Sequence, residues 1–140
     1  MKILIAADGS PYTRRVLDYI AAHGVFSDGP HEYVVLHVVP AVPPRAAAVV
    51  QKDVLQSYYD DEAEKVFEPI RAFFKELGLQ AQYVAKVGHA ADVIGNTATS
   101  GKFDLLMMGS RGHGSLGSLV MGSVAVKVLG HCETPLLLVR

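Results

Sequence analysis

The sequence predicts an α/β protein with one open, doubly wound parallel sheet of five strands and helices on both faces. Three observations predict this class: five short apolar segments, helical segments between them, and glycine-containing turns after the first and fourth strands. Nearly continuous apolar strands that alternate with helices are typical of a parallel sheet covered on both faces. Right-handed crossovers then favour the strand order 3-2-1-4-5.

Apolar runs bounded by glycine, proline or polar residues define the elements. The five strands are predicted at 2–7, 33–39, 80–87, 103–109 and 135–140. The four main helices are predicted at 11–23, 54–77, 89–100 and 122–131.

Serine, proline and glycine mark the expected helix ends. Ser10 followed by Pro11 predicts an N-cap and the first helical position, and Gly24 predicts the end of that helix. Pro69, within the longest helix, predicts a kink or a break into two helices. The proline-rich segment 40–50 predicts a connecting loop, with a lid over the site as the alternative.

Length and composition limit the class of protein. At 140 residues we expect one domain, 1–140. Thirteen Lys and Arg nearly balance fourteen Asp and Glu, so no net field favours nucleic acid or an anionic membrane. No apolar run approaches the ~20 residues that span a bilayer, and no signal peptide is recognisable. The single cysteine, Cys132, excludes an internal disulfide. We therefore expect a cytoplasmic protein.

The glycine-rich segment 109–123 follows the fourth strand. In this fold class, ligands bind at the carboxyl ends of the strands that flank the switch point of the strand order, here strands one and four. Gly109 and Gly112 allow a tight turn with inward-pointing amides, and Gly122 with Ser123 opens the last helix, whose positive dipole end favours an anion. The segment therefore predicts a phosphate site.

Two common nucleotide motifs are absent or incomplete. A P-loop requires a lysine followed by Ser or Thr, and none of the seven lysines is followed by either. Residues 112–117, "GHGSLG", match the G-x-G-x-x-G pattern of dinucleotide sites. The acidic residue of such sites ends the next strand, whereas Glu133 precedes it. The dinucleotide interpretation therefore fails.

The spacing Gly109-x-x-Gly112, nine residues and then Gly122-Ser123 resembles that of the universal stress protein family. "ADGS", "LHVV", "VGHAADVI" and the terminal "PLLLV" also match this family in the same order, so the resemblance covers the whole chain. It implies an adenine-nucleotide α-hydrolase-like fold and the ATP-binding branch of the family, with Mg²⁺ accompanying the ATP. No metal site made by the protein alone is expected.

The resemblance also implies which residues form the ATP site. The expected set is Ala6, Asp8, Val38, Met108, Gly109, Ser110, Arg111, Gly112, Gly122, Ser123 and Val124. Asp8 is placed near the ribose, with capping of the first helix as the alternative, and the backbone of Val38 is placed at the adenine. Ser123 is expected to contact phosphate or to cap the last helix. His113 is interpreted as an exposed loop histidine rather than a general base.

The expected function is regulation by ATP, in a stress-response or signalling protein whose nucleotide occupancy modulates assembly or the binding of a protein partner. Without a positioned base, any ATP hydrolysis is expected to be slow. The apolar last strand lies at a sheet edge, which predicts a homodimer through two copies of that strand. Two alternatives stay open: a module that binds another small molecule or only dimerises, and an adenine-nucleotide hydrolase or transferase. The S-G-G-x-D-S loop of such transferases is absent after strand one.

Overall fold

The computed structural model describes residues 1–114 and 120–140. Its strands are β1 Lys2–Ala6, β2 Glu32–Val39, β3 Ala81–Val87, β4 Leu105–Gly109 and β5 Leu136–Val139. Its helices are α1 Pro11–Ala22, α2 Gly24–Ser27, α3 Pro44–Ala47, α4 Lys52–Glu76, α5 Ala90–Ser100 and α6 Ser123–His131. Every predicted strand and main helix is present.

All five strands are parallel, and their order is β3-β2-β1-β4-β5, which confirms the predicted order. β1 is the central strand, and its Ile5 pairs with Val35 of β2 on one side and with Met107 of β4 on the other. The strand order reverses between β1 and β4, so their carboxyl ends border the crevice where ligands bind in this class of sheet.

Different helices bury the two faces of the sheet. On one face, Ile3 and Ile5 share a core with apolar side chains of α1 and α4. On the other face, Leu4 shares a core with side chains of α5 and α6. Successive strand residues point to opposite faces, and helices cover both faces, so all three of these β1 side chains are fully buried. Burial on both faces explains why the strands are continuous apolar runs.

The longest helix, α4, is a single helix of 25 residues, so the predicted break at Pro69 is wrong. Pro69 lies on the exposed side of α4, where water can bond the carbonyl that loses its amide partner. Its neighbours Phe67 and Ile70 are buried in the core. This packing outweighs the local preference of proline and holds the helix together.

α1 ends at Ala22 with His23 as its C-cap, so the predicted end before Gly24 is confirmed, and the short helix α2 that begins at Gly24 was not predicted. The segment 40–50 contains the four-residue helix α3 within the predicted loop. The predicted N-cap is confirmed, because the Ser10 side chain accepts a hydrogen bond from the Tyr12 amide at 3.2 Å. Among the helices described, none is long and apolar enough to cross a membrane.

Candidate functional site

A cavity of about 360 Å³ lies at the carboxyl ends of β1, β2 and β4, against the first turn of α6. At β2 its wall has the apolar residues Leu36 and Val38 on either side of His37, and Ile94 of α5 also lines it. At β4 and α6 the wall includes Gly112 and Gly122. The cavity therefore joins an apolar end to a glycine-rich end at the position where this fold class binds ligands.

The structure brings ten of the eleven expected site residues to this cavity. They come from the ends of β1, β2 and β4, the following loop and the start of α6: Ala6, Asp8, Val38, Met108, Gly109, Arg111, Gly112, Gly122, Ser123 and Val124. These segments are far apart in the chain. Parallel strands of this order place their ends side by side, which is why they meet.

Ser110 is the one expected residue that does not line the cavity. It is buried, with 5% of its surface exposed. Its amide donates to the Val139 carbonyl at 2.8 Å, and its carbonyl accepts from the Gly122 amide at 2.7 Å. Ser110 therefore joins β4 to β5 and to the start of α6 through its backbone, and the structure does not place it on the cavity wall.

Asp8 organises the turn after β1. Its Oδ1 accepts hydrogen bonds from the Ser10 amide at 2.9 Å and the Thr13 hydroxyl at 3.1 Å. Its Oδ2 accepts from the amide of His113, in the loop after β4, at 3.3 Å. Burial raises the pKa of the Asp8 carboxyl, but the hydrogen bonds and the nearby His113 outweigh burial and lower this pKa below its usual value. Asp8 is therefore ionised at neutral pH.

His113 is an exposed residue of the loop after β4, as expected, and it also makes a structural contact. Its Nε2 lies 2.8 Å from the carbonyl oxygen of Asp8, and a ring N–H that donates there fastens the loop after β4 to the turn after β1. His113 also lines the cavity. No local pattern predicts this contact, because it joins positions 105 residues apart.

Two glycines of the loop make room for the turn after β1. A Cβ on Gly109 would lie 2.5 Å from the Cβ of Tyr12, and a Cβ on Gly112 would collide with the carboxylate of Asp8. Neither glycine has a positive φ. Close packing of the end of β4 and of the following loop against Tyr12 and Asp8, rather than an unusual backbone conformation, disfavours a side chain at both positions.

Helix α6 begins at the cavity. Its N-cap is Gly122 without a side-chain capping bond, so the expectation that Ser123 caps the helix is wrong. Ser123 is the first helical residue and lines the cavity. The first amides of a helix have no acceptor within the helix. Together with the helix dipole, they attract an anion to this end of the cavity.

Several residues of the cavity wall are not in the expected set. Six of them lie within quoted motifs but were not assigned to the site, and Thr13, Pro40 and Ala125 lie outside those motifs; the full set is Ala7, Thr13, Leu36, His37, Pro40, Ala90, Ile94, Gly114 and Ala125. His37 joins two strands, because its Nδ1 lies 2.7 Å from the Ala7 carbonyl oxygen. Strand register is the signal that could have found part of this wall, since Leu36 pairs directly with Ala6.

In the part of the chain that the structure describes, no three His, Cys, Asp or Glu side chains are arranged to hold a metal ion. Asp8 is the one carboxylate among the described residues of the cavity wall. Both of its oxygens already accept hydrogen bonds. The described residues therefore offer little for direct metal ligation.

The chain belongs to the universal stress protein family, whose model it matches over residues 1–140. It is similar to a universal stress protein from Thermus aquaticus, 32% identical over 145 residues, with 99% of this chain and 97% of that protein covered. It is also similar to a universal stress protein from Synechocystis, 30% identical over 139 residues. That match covers 99% of this chain and 42% of the longer Synechocystis protein.

Solved structures share the fold. Universal stress protein UspA from Lactobacillus plantarum has a TM-score of 0.79 at 20% identity, with 100% of this chain and 97% of that chain covered. A family member from Arabidopsis thaliana with AMP bound has a TM-score of 0.70 at 17% identity, covering 99% and 90%. The universal stress protein from Archaeoglobus fulgidus in complex with dAMP has a TM-score of 0.70 at 18% identity, covering 100% and 98%.

Proposed function

We propose that this protein binds ATP and uses nucleotide occupancy to regulate its own assembly or its binding of another protein. One observation carries the proposal: a single cavity joins the apolar wall at β2 to the glycine loop and the first turn of α6. An apolar wall suits a base, and helix amides suit phosphates. The AMP and dAMP bound by two structural neighbours support adenine as that base.

In this proposal the nucleotide runs along the cavity from β2 to α6. The backbone of Val38 is placed at the adenine and Asp8 beside the ribose. The amides of Ser123 and Val124, at the start of α6, are placed at the phosphates. Ala6 and Met108 pair in register; Ala6 is placed near the base and Met108 at the sugar or the base.

Mg²⁺ is proposed to accompany ATP through phosphate oxygens and water, which is its usual mode of binding to nucleotides. Asp8 is the one carboxylate on the described wall, and its hydrogen bonds to Ser10 and His113 occupy it. Each described imidazole of the wall, on His37 and His113, also makes a structural hydrogen bond. We therefore assign no general base, and we expect hydrolysis to be slow.

We further propose that residues 1–140 act as one cytoplasmic domain that forms a homodimer through β5. β5 is an edge strand of four apolar residues, Leu136–Val139, each of which is half-buried. Pairing of two copies along this edge would cover it. Light scattering at micromolar concentration is expected to show a dimer, and a 15.0 kDa monomer would contradict this assignment.

Calorimetric titration tests the nucleotide proposal with two valine variants of α6 and its cap. A Cβ on Gly122 would lie 3.2 Å from the Arg111 Cα, whereas a Cβ on Gly130 meets nothing within 4 Å. The parent and Gly130→Val are expected to bind ATP in preference to GTP. Gly122→Val is expected to lose binding while its circular dichroism spectrum is unchanged. The proposal is wrong if the parent binds no adenine nucleotide or if folded Gly122→Val binds ATP as tightly as the parent.

A further inference from the structure

Beside the cavity, Arg111 of the expected nucleotide site forms a side-chain cluster with Tyr12 and Arg15. The ring of Tyr12, at the start of α1, has the guanidinium carbon of Arg15 4.6 Å from its centroid and that of Arg111 5.7 Å from it. Arg111 lines the cavity, whereas Arg15 does not. One aromatic ring therefore holds two cations, and one of them belongs to the cavity wall.

The contacts of Arg111 are weak. Its Nε lies 3.5 Å from the Val120 carbonyl oxygen, at the outer limit for a hydrogen bond. The ion pairs found among residues 1–114 and 120–140 do not include it. A cation–π contact at an exposed site is worth about two- to fivefold in an equilibrium constant. A charge-assisted hydrogen bond is worth about tenfold or more, so a phosphate within reach would draw the guanidinium from Tyr12.

The location of Arg111 indicates which phosphates it meets. The base end of the cavity is at β2, and β1 separates β2 from β4, which places the ends of β2 and β4 roughly 10 Å apart. Arg111 follows β4 by two residues, so it lies at the end of the cavity away from Val38. No other lysine or arginine occurs among the described residues of the wall.

We propose that Arg111 makes this site selective for nucleoside polyphosphates over monophosphates by leaving Tyr12 and binding the terminal phosphates. The inference rests on the proposed nucleotide site. AMP carries its single phosphate next to the ribose, where the backbone amides at the start of α6 serve it. The β- and γ-phosphates of ATP extend further and add negative charge, and Arg111 supplies the matching positive side chain.

The experiment is a calorimetric titration of AMP, ADP and ATP at one ionic strength into the parent, Arg111→Met and Arg15→Met. Arg15→Met is the matched control, because it removes the same charge from the same Tyr12 ring without altering the cavity wall. Arg111→Met is expected to lower ATP affinity about tenfold or more and to leave AMP affinity within about twofold. Arg15→Met is expected to keep the parent's ratio of ATP to AMP affinity, and Arg111→Lys to restore part of the ATP affinity.

The outcomes separate this inference from the proposed function. If Arg111→Met lowers the affinities for AMP and ATP equally, Arg111 does not distinguish polyphosphates from monophosphates. That result would overturn this inference and leave the proposed nucleotide site in place. An equal change of the affinity ratio by Arg15→Met would show a general charge effect and would also overturn the inference. A parent that binds none of the three nucleotides would overturn the proposed function itself. Circular dichroism of each variant establishes that the fold is intact.

Discussion

The turn after β1 and the loop after β4 form two neighbouring walls of the cavity, and they are held in different ways. The turn is held by its own side chains. Asp8 accepts hydrogen bonds from Ser10 and Thr13, and the Thr13 hydroxyl oxygen accepts from the amides of Asp8 and Gly9 at 3.1 and 3.2 Å. These contacts span five residues at most, so the turn is fixed locally.

The described part of the loop after β4, residues 110–114, is held by contacts with other segments. His113 bonds to the carboxylate and the carbonyl of Asp8, and Gly109 packs on Tyr12. At its base, Ser110 bonds to β5 and to Gly122. The difference indicates that the turn acts as a template: it holds its own conformation, and the loop takes its conformation from contacts with the turn. Changes in the turn should therefore reach the ligand through the loop, and the predictions below probe that dependence.

The largest effect is expected from Asp8→Ala, which removes the template. The amides of Ser10 and His113 and the hydroxyl of Thr13 lose their acceptor, at about 1–3 kcal/mol for each group that water does not reach. Because Asp8 is partly exposed, we expect unfolding in urea to become easier by about 2–4 kcal/mol, with ATP binding lost. Asp8→Asn keeps an oxygen acceptor and should lose less stability. A parent-like Asp8→Ala variant would contradict the template role.

The next largest effect is expected from Gly112→Ala, which changes the loop residue that packs against Asp8. Its new methyl group meets the Asp8 carboxylate, and overpacking of this kind costs about 1–3 kcal/mol. Gly130→Ala, where a Cβ meets nothing within 4 Å, should be neutral or stabilising, because alanine favours a helix over glycine. In urea unfolding, the double variant Asp8→Ala/Gly112→Ala should lose less than the sum of the single losses. Strict additivity would show that the two residues are not in contact.

The same distinction between local and distant contacts explains what the sequence could predict. Strands and main helices depend on apolar runs and their period, and the strand order depends on the handedness of crossovers, so both were predictable. The cap formed by Ser10 and Pro11 depends on adjacent residues and was also predictable. The glycine spacing indicated the segments of the site, because those segments end strands that flank the switch point.

Features decided by tertiary packing were not predictable from local signals. The helix continues through Pro69 because its neighbours are buried in the core, which is a property of the folded sheet. Gly109 and Gly112 pack against Tyr12 and Asp8, which are about one hundred positions earlier in the chain. The contact of His113 was not predictable for the same reason, since its partner Asp8 belongs to the turn after β1.

A smaller effect is expected from His113→Ala, which removes one fastening between the two walls. The ring bonds to the Asp8 carbonyl at an exposed position, so we expect a loss of about 0.5–1.5 kcal/mol in stability and up to about tenfold in ATP affinity. His113→Gln should restore most of the affinity, because its amide nitrogen can donate to the same carbonyl. Scanning calorimetry of the parent, His113→Ala and His113→Gln measures the stability, and titration calorimetry measures the ATP affinity. Equal affinities for parent and alanine variant would show that the loop keeps its shape without this bond.

The smallest effect is expected from acid pH, which tests whether the charge of Asp8 holds the turn. The pKa of Asp8 is lowered in the folded protein, so its carboxylate adds stability that is fully present above the unfolded-state pKa of about 4. That stability is lost as the pH falls through the lower folded-state pKa. The difference in unfolding free energy between the parent and Asp8→Asn should therefore stay constant from pH 7 to about 5 and shrink below about 4. Urea titrations at each pH measure it. The difference in unfolding free energy could instead persist unchanged to pH 3. In that case the charge of Asp8 contributes nothing to stability, because the neutral carboxyl then accepts the hydrogen bonds of Ser10 and His113 as well as the ionised carboxylate does.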